Sequence, residues 1–143
     1  MTAPYHGRCN CGAVTATFSA EPVWVRQCWC RQCQKSAAGS CTTNALFLTD
    51  SFTLSGDLRW FSYEADSGNG VEQGFCASCG TPVIGRNTAR RHACVIRLGF
   101  IEPPHDLAPT SAIWLDDAPD WAVIDPALQR FARQPPPPPE TPA

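Results

Sequence analysis

Seven cysteines fall in three tight groups: Cys9 and Cys11; Cys28, Cys30 and Cys33; and Cys76 and Cys79. Cysteines two apart in an extended segment place both sulfurs on one face, and a CxxC turn brings two sulfurs around a common centre. Both arrangements suit a tetrahedral metal bound through thiolates. The first and third groups supply two sulfurs each, so Cys9, Cys11, Cys76 and Cys79 are expected to form a closed four-sulfur zinc site that clamps the N-terminal segment to a later hairpin. The middle group supplies only three, Cys28, Cys30 and Cys33. A zinc ion held by three protein ligands keeps a position for water or a substrate thiol, which is the arrangement of a catalytic site. A thioredoxin-type CxxC would open a long helix, whereas Cys76 and Cys79 run into Gly80, Thr81 and Pro82, which stop one.

Two cysteines remain. Cys41 lies eight residues past Cys33 and could fill the fourth position of the triplet if the chain folds back after Gly39. His6, His92 and His105 are further candidates. The expected roles are otherwise ordinary: Cys41 as a buried or pocket-lining thiol, Cys94 in the apolar run ACVIRL as core, and the histidines as loop residues.

These groups must be positioned by short strands. The run Ala13–Phe18 alternates apolar and threonine residues with the period of a half-buried strand. Further strands are expected at Val23–Arg26, Ala45–Leu48, Ser51–Leu54, Arg59–Tyr63, Val71–Phe75, Val83–Ile84, Cys94–Leu98 and Ala112–Leu115, with turn signals at 55–57, 66–70 and 102–106. Two short helical turns are expected. One runs from Arg31 to Ala38. The other follows Asp125, an N-cap with Pro126 at the first helical position, and docks through Leu128 and Phe131. From Gln134 the sequence QPPPPPETPA reads as a solvated polyproline tail, leaving one domain over residues 1–133.

Composition narrows the class. The 143 residues carry 11 Lys and Arg against 13 Asp and Glu, a net charge of −2. There is no basic block for a phosphate backbone, which disfavours nucleic acid, and no apolar run approaches the roughly 20 residues a bilayer span requires. The start MTAPYHGRCN lacks the apolar core of a secretory signal, so the expectation is a cytoplasmic, reducing setting. There nine cysteines need a use other than disulfides.

The segments Gly7-Arg8-Cys9-Asn10-Cys11-Gly12-Ala13-Val14, Cys28-Trp29-Cys30-Arg31-Gln32-Cys33 and Phe75-Cys76-Ala77-Ser78-Cys79-Gly80-Thr81 resemble the glutathione-dependent formaldehyde-activating enzyme family in the order and spacing of all seven cysteines. The resemblance spans about residues 5 to 132. It implies a mainly β fold, a β-tent of small antiparallel sheets, with a structural zinc at the four outer cysteines and a labile catalytic zinc at Cys28, Cys30 and Cys33. It also implies carbon–sulfur lyase chemistry that joins glutathione to formaldehyde or cleaves such an adduct. Family members commonly carry histidine where this chain has Trp29, and an indole offers only one N–H donor and an apolar face. Arg26, Arg31, Gln32, Gln34 and Lys35 are candidates for holding glutathione carboxylates, against the plainer reading of solvated charges on a short helix. Two other readings remain: a non-catalytic zinc module presenting a protein-binding surface, and a thiol redox switch or zinc store. Neither the aldehyde nor the oligomeric state is encoded legibly.

Overall fold

The computed structural model describes residues 2–65 and 68–136. Asp66 and Ser67 of the expected 66–70 turn, and 137–143 of the proline-rich stretch, lie outside the described residues. The chain forms eleven strands and one α-helix among the described residues: β1 (Tyr5–Arg8), β2 (Thr15–Phe18), β3 (Trp24–Cys28), α1 (Arg31–Ser36), β4 (Thr42–Leu48), β5 (Phe52–Ser55), β6 (Leu58–Glu64), β7 (Gly70–Cys76), β8 (Pro82–Asn87), β9 (Ala93–Arg97), β10 (Ser111–Ile113) and β11 (Gln129–Arg130). The protein is therefore mainly β, as the sequence alternation and the resemblance both imply.

The strands make a three-stranded sheet in the order β1-β2-β5 and an eight-stranded sheet in the order β11-β10-β3-β4-β9-β8-β7-β6. The second sheet is larger than the small antiparallel sheets expected. It is also mixed, because β10 runs parallel to both β3 and β11. The core lies between the two sheets. Phe18 of β2 and Phe47 of β4 are fully buried, with ring centroids 4.5 Å apart. Ala16, Ala45, Ile84, Ile96, Phe100 and Ile101 pack in the same cluster, as does Cys94, which takes its expected core place. Burying the Phe and Ile side chains stabilises the fold by about 1.5–3 kcal/mol each.

Three elements depart from the sequence expectation. Strand β1 shows no apolar alternation because one of its two buried positions is a glycine. A Cβ at Gly7 would stand 2.3 Å from the Phe100 ring, so the strand packs by close backbone approach. Helix α1 stops at Ser36 rather than Ala38, since Ala38 and Gly39 take left-handed backbone conformations (φ 57° and 109°) and the Gly39 N–H closes back on the Gln34 carbonyl at 2.7 Å. The C-terminal helix does not form. Asp125 caps a single turn, its Oδ1 accepting from the Ala127 N–H at 2.9 Å, and the chain then extends as β11. Extension wins because β10 offers free backbone partners: Gln129 N–H donates to the Thr110 carbonyl and Phe131 N–H to the Ala112 carbonyl, both at 3.0 Å. Leu128 and Phe131 still dock, but from a strand. Order also continues past residue 133, with Pro135 buried and Gln134 Oε1 accepting from Trp114 Nε1 at 3.2 Å. No helix among the described residues is long and apolar enough to cross a membrane.

Candidate metal centres

The first centre joins the end of β1 to the β7–β8 turn. Cys9 follows β1 directly, Cys11 sits two residues on, Cys76 ends β7 and Cys79 lies in the turn before β8. Their four sulfurs lie within 4.8 Å of one another, with Cys9–Cys11 at 3.7 Å and Cys11–Cys76 at 3.8 Å. Four sulfurs at the usual Zn–S distance in a tetrahedron stand about 3.8 Å apart, whereas a disulfide would need about 2.0 Å. The spacing is that of a metal cage.

Backbone geometry makes the cage. Gly12 (φ 82°) and Gly80 (φ 77°) occupy the left-handed region that turns each loop around its pair. Val14 N–H donates to Cys9 Sγ at 3.3 Å, and both Ser78 and Cys79 N–H donate to Cys76 Sγ at 3.4 Å. Thr81 ties the two loops together, its Oγ1 accepting from Asn10 N–H at 3.1 Å and standing 3.1 Å from Cys79 Sγ. These Thr81 contacts hold the Cys79 thiol down at about 5, well below its usual value. Donors aimed at sulfur favour the thiolate, which is the ligating form.

The second centre is built on the β3–α1 connection. Cys28 is the last residue of β3, Cys30 caps α1 with its sulfur accepting from Cys33 N–H at 3.4 Å, and Cys33 lies one turn into the helix. The three sulfurs converge within 4.8 Å. Cys33 is the member whose thiol is pulled lowest, by hydrogen bonds from Cys28 and Cys30 and then by the Thr42 hydroxyl and the charge of Arg97. Ile113, Trp114 and Phe131 pack around the group.

Among the described residues no other Cys, His, Asp or Glu joins the triplet, and Cys41, His6, His92 and His105 all stand outside it. Cys41 is instead a half-buried thiol whose ionisation burial disfavours. Trp29 is 4% exposed. Its backbone N–H donates to the Ile113 carbonyl at 3.1 Å and its backbone carbonyl accepts from Gln34 Nε2 at 2.7 Å, whereas its indole Nε1 is buried with no hydrogen-bond partner among the described residues. Its ring meets Trp121 edge-on at 6.5 Å. Buried to this extent, Trp29 is a packing residue and offers no open platform for a ligand.

The residues expected to hold carboxylates sort differently. Gln34 is buried and structural, also donating to the Asp117 carbonyl at 2.9 Å. Arg31 is occupied with Gln34 Oε1 at 2.6 Å, and Arg26 lies over the Trp24 ring at 4.2 Å. Gln32 and Lys35 are exposed on α1. What sequence reading missed is a buried polar row beside the triplet. Cross-strand register pairs Cys28 with Thr42 and Asn44 with Arg97. Arg97 Nη1 donates to Asn44 Oδ1 at 2.6 Å, and Asn44 Nδ2 donates to Thr42 Oγ1 at 2.9 Å. Thr42 and Asn44 are buried on the face of β4 opposite to that of Ala45 and Phe47, so the alternation of the ALFL run gives no sign of them.

Both clusters fit a thiophilic divalent ion, judged by sulfur donors, mutual distances and N–H···S support. No functionally curated protein is similar to the chain. The crystal structure of a Rhodobacter sphaeroides protein is similar in fold, with a TM-score of 0.56 and 18% identity over 70% of this chain and 90% of that one. Residues 4–117, which contain both clusters and most of the larger sheet, match the family described as glutathione-dependent formaldehyde-activating enzyme, and the chain belongs to that family.

Proposed function

We propose that the protein is a zinc-dependent, carbon–sulfur lyase-like enzyme that forms or cleaves the adduct of a thiol such as glutathione with formaldehyde or a related aldehyde. The observation that carries this reading is the difference between the clusters. One has four sulfurs and closes on itself, whereas the other has three and no fourth protein ligand among the described residues. Cys9, Cys11, Cys76 and Cys79 would hold a structural ion, and Cys28, Cys30 and Cys33 a catalytic one. A zinc ion at the triplet supplies a Lewis-acidic position that favours the thiolate form of an incoming thiol. The chain's own contribution is placement. Cys30 and Cys33 are fixed by the first turn of α1, the Thr42 hydroxyl favours the Cys33 thiolate, and Ile113, Trp114 and Phe131 pack an apolar wall against the group.

Cobalt substitution tests the reading. Glutathione added to the cobalt protein is expected to change the visible spectrum, and the change is expected to vanish in Cys28→Ser. A spectrum indifferent to thiols counts against the lyase reading and favours a non-catalytic zinc module, the second reading, which the enclosed Trp29 at the usual histidine position supports.

A further inference from the structure

We propose that Gln34 is the positioning residue of the three-cysteine site, the side chain that fixes how Cys28 and Cys30 are presented to an ion, a role that rests on the triplet binding metal as in the function proposed above. Gln34 follows Cys33 in α1 and is 5% exposed. Its Nε2 donates to the Trp29 carbonyl at 2.7 Å and to the Asp117 carbonyl at 2.9 Å, while its Oε1 accepts from Arg31 Nη1 at 2.6 Å. A primary amide has two N–H donors, and both are spent on main-chain carbonyls. Carbonyls only accept, so the nitrogen must face them and the side chain has one orientation.

Trp29 is the single residue between two ligands, so the two peptide planes that flank it carry Cys28 and Cys30. The plane on the Cys28 side is held by the Trp29 main-chain N–H, which donates to the Ile113 carbonyl at 3.1 Å. The plane on the Cys30 side is held by the Trp29 carbonyl on the Gln34 amide. A peptide is planar, so anchoring that carbonyl also anchors the Cα of Cys30, from which its sulfur projects. The main chain of Gln34 grips the far side of the same residue, its N–H donating to the Cys30 carbonyl at 2.9 Å. Cys33, the third ligand, is the preceding residue in the same turn of helix. One residue thereby connects all three, whose sulfurs lie within 4.8 Å of one another.

The effect is confined to one centre. The Gln34–Trp29 bond is buried, so removing the donor leaves an acceptor without a partner in the middle of the ligand loop. The four-cysteine centre is supported independently, by main-chain N–H groups of Val14, Ser78 and Cys79 aimed at its sulfurs. Loss of a partner that orients metal ligands from outside costs about 10–100-fold in metal affinity. A residue that merely stabilised the fold would weaken both ions, whereas a residue that orients Cys28 and Cys30 weakens one.

Competition with a chromophoric chelator and the cobalt spectrum of the full chain test this, the triplet ion being identified by its absence from Cys28→Ser. Gln34→Met keeps the volume and removes both donors; Gln34→Glu keeps the acceptor for Arg31 and removes both donors. In each, the triplet ion is expected to bind at least tenfold more weakly and the visible bands of cobalt there to shift, with the four-cysteine ion unchanged. Equal weakening of both ions overturns the proposal, as do unchanged affinity and bands in Gln34→Met. Wild-type behaviour of Gln34→Glu beside a weakened Gln34→Met assigns the effect to the Arg31 contact and overturns it too. Coupling is reciprocal, so in the unsubstituted protein removal of the triplet ion is expected to speed solvent exchange of the two Gln34 side-chain amide protons, followed by NMR. Exchange indifferent to that ion overturns the proposal with no variant needed. A chain that takes up one ion only, at the four-cysteine centre, overturns the metal reading of the triplet and Gln34's role with it; two ions indifferent to Gln34 overturn that role alone.

Discussion

Replacing Cys76 by serine should destabilise the protein much more than replacing Cys28, although each removes one thiolate from a metal cluster. The four-cysteine centre joins Cys11 to Cys76, 65 residues apart, so an ion there closes a long loop. Treated as a cross-link, that closure restricts the unfolded chain by about 4 kcal/mol. The triplet spans only Cys28 to Cys33, and the same relation gives about 2 kcal/mol for so short a loop. Cys76→Ser is therefore expected to lower the free energy of unfolding by about 4 kcal/mol, roughly 10 °C in midpoint for a chain of this size. Cys28→Ser should cost about half as much. The assay is urea unfolding of zinc-loaded proteins followed by intrinsic tryptophan fluorescence, with zinc counted in each sample. A Cys28→Ser protein that loses as much stability as Cys76→Ser would refute the distinction between a long-range staple and a local clip.

Other outcomes follow from the same geometry. Cys41→Ser should leave two metals per chain, counted by mass spectrometry under native conditions, because its sulfur stands outside the triplet. Thr42→Val should destabilise by about 1–3 kcal/mol, the cost of leaving buried Asn44 Nδ2 without its acceptor; it should also slow alkylation of Cys33. In metal-free protein, Cys79 should remain reactive to iodoacetamide down to about pH 5. Its folded value lies below that of an ordinary thiol, so the stabilisation it contributes is complete above the ordinary thiol range and disappears as pH falls through about 5. Mass-mapped labelling across pH checks this, and a Cys79 midpoint near about 8.5 would show that the Thr81 contacts require metal. Phe47→Ala should cost about 3–5 kcal/mol, since the ring is fully buried against Phe18.

The cysteine clusters were legible because ligand spacing is local: CxC and CxxC bring sulfurs together by short-range backbone geometry, and the only long-range guess was which pairs join. Strands β2 to β10 were legible, within a few residues at their ends, from apolar alternation and turn residues. The rest depended on partners distant in sequence. Strand β1 inserts Gly7 where alternation would need a side chain, and only Phe100 explains it. The segment after Asp125 carries a sound helix-start signal, yet β10 supplies hydrogen-bond partners that outweigh it. Arg97 and Asn44 are 53 residues apart, and each alone reads as an ordinary polar residue in a strand. Their contact appears only when register places them side by side on neighbouring strands, two residues along β4 from the Thr42 that faces Cys28.

The shared family region ends at residue 117, yet Trp121, which touches Trp29, and Phe131, which packs on the triplet, both lie beyond it. The residues that make the two cysteine clusters and the outer residues that pack around the second of them are thus separable in the chain. The four-cysteine cluster ties residue 9 to residue 79, while the returning C-terminal segment supplies Phe131 and Trp121 to the packing around the triplet and Trp29. Exchanging residues 118–136 between proteins of this architecture would repack the surroundings of the triplet while leaving all seven clustered cysteines in place.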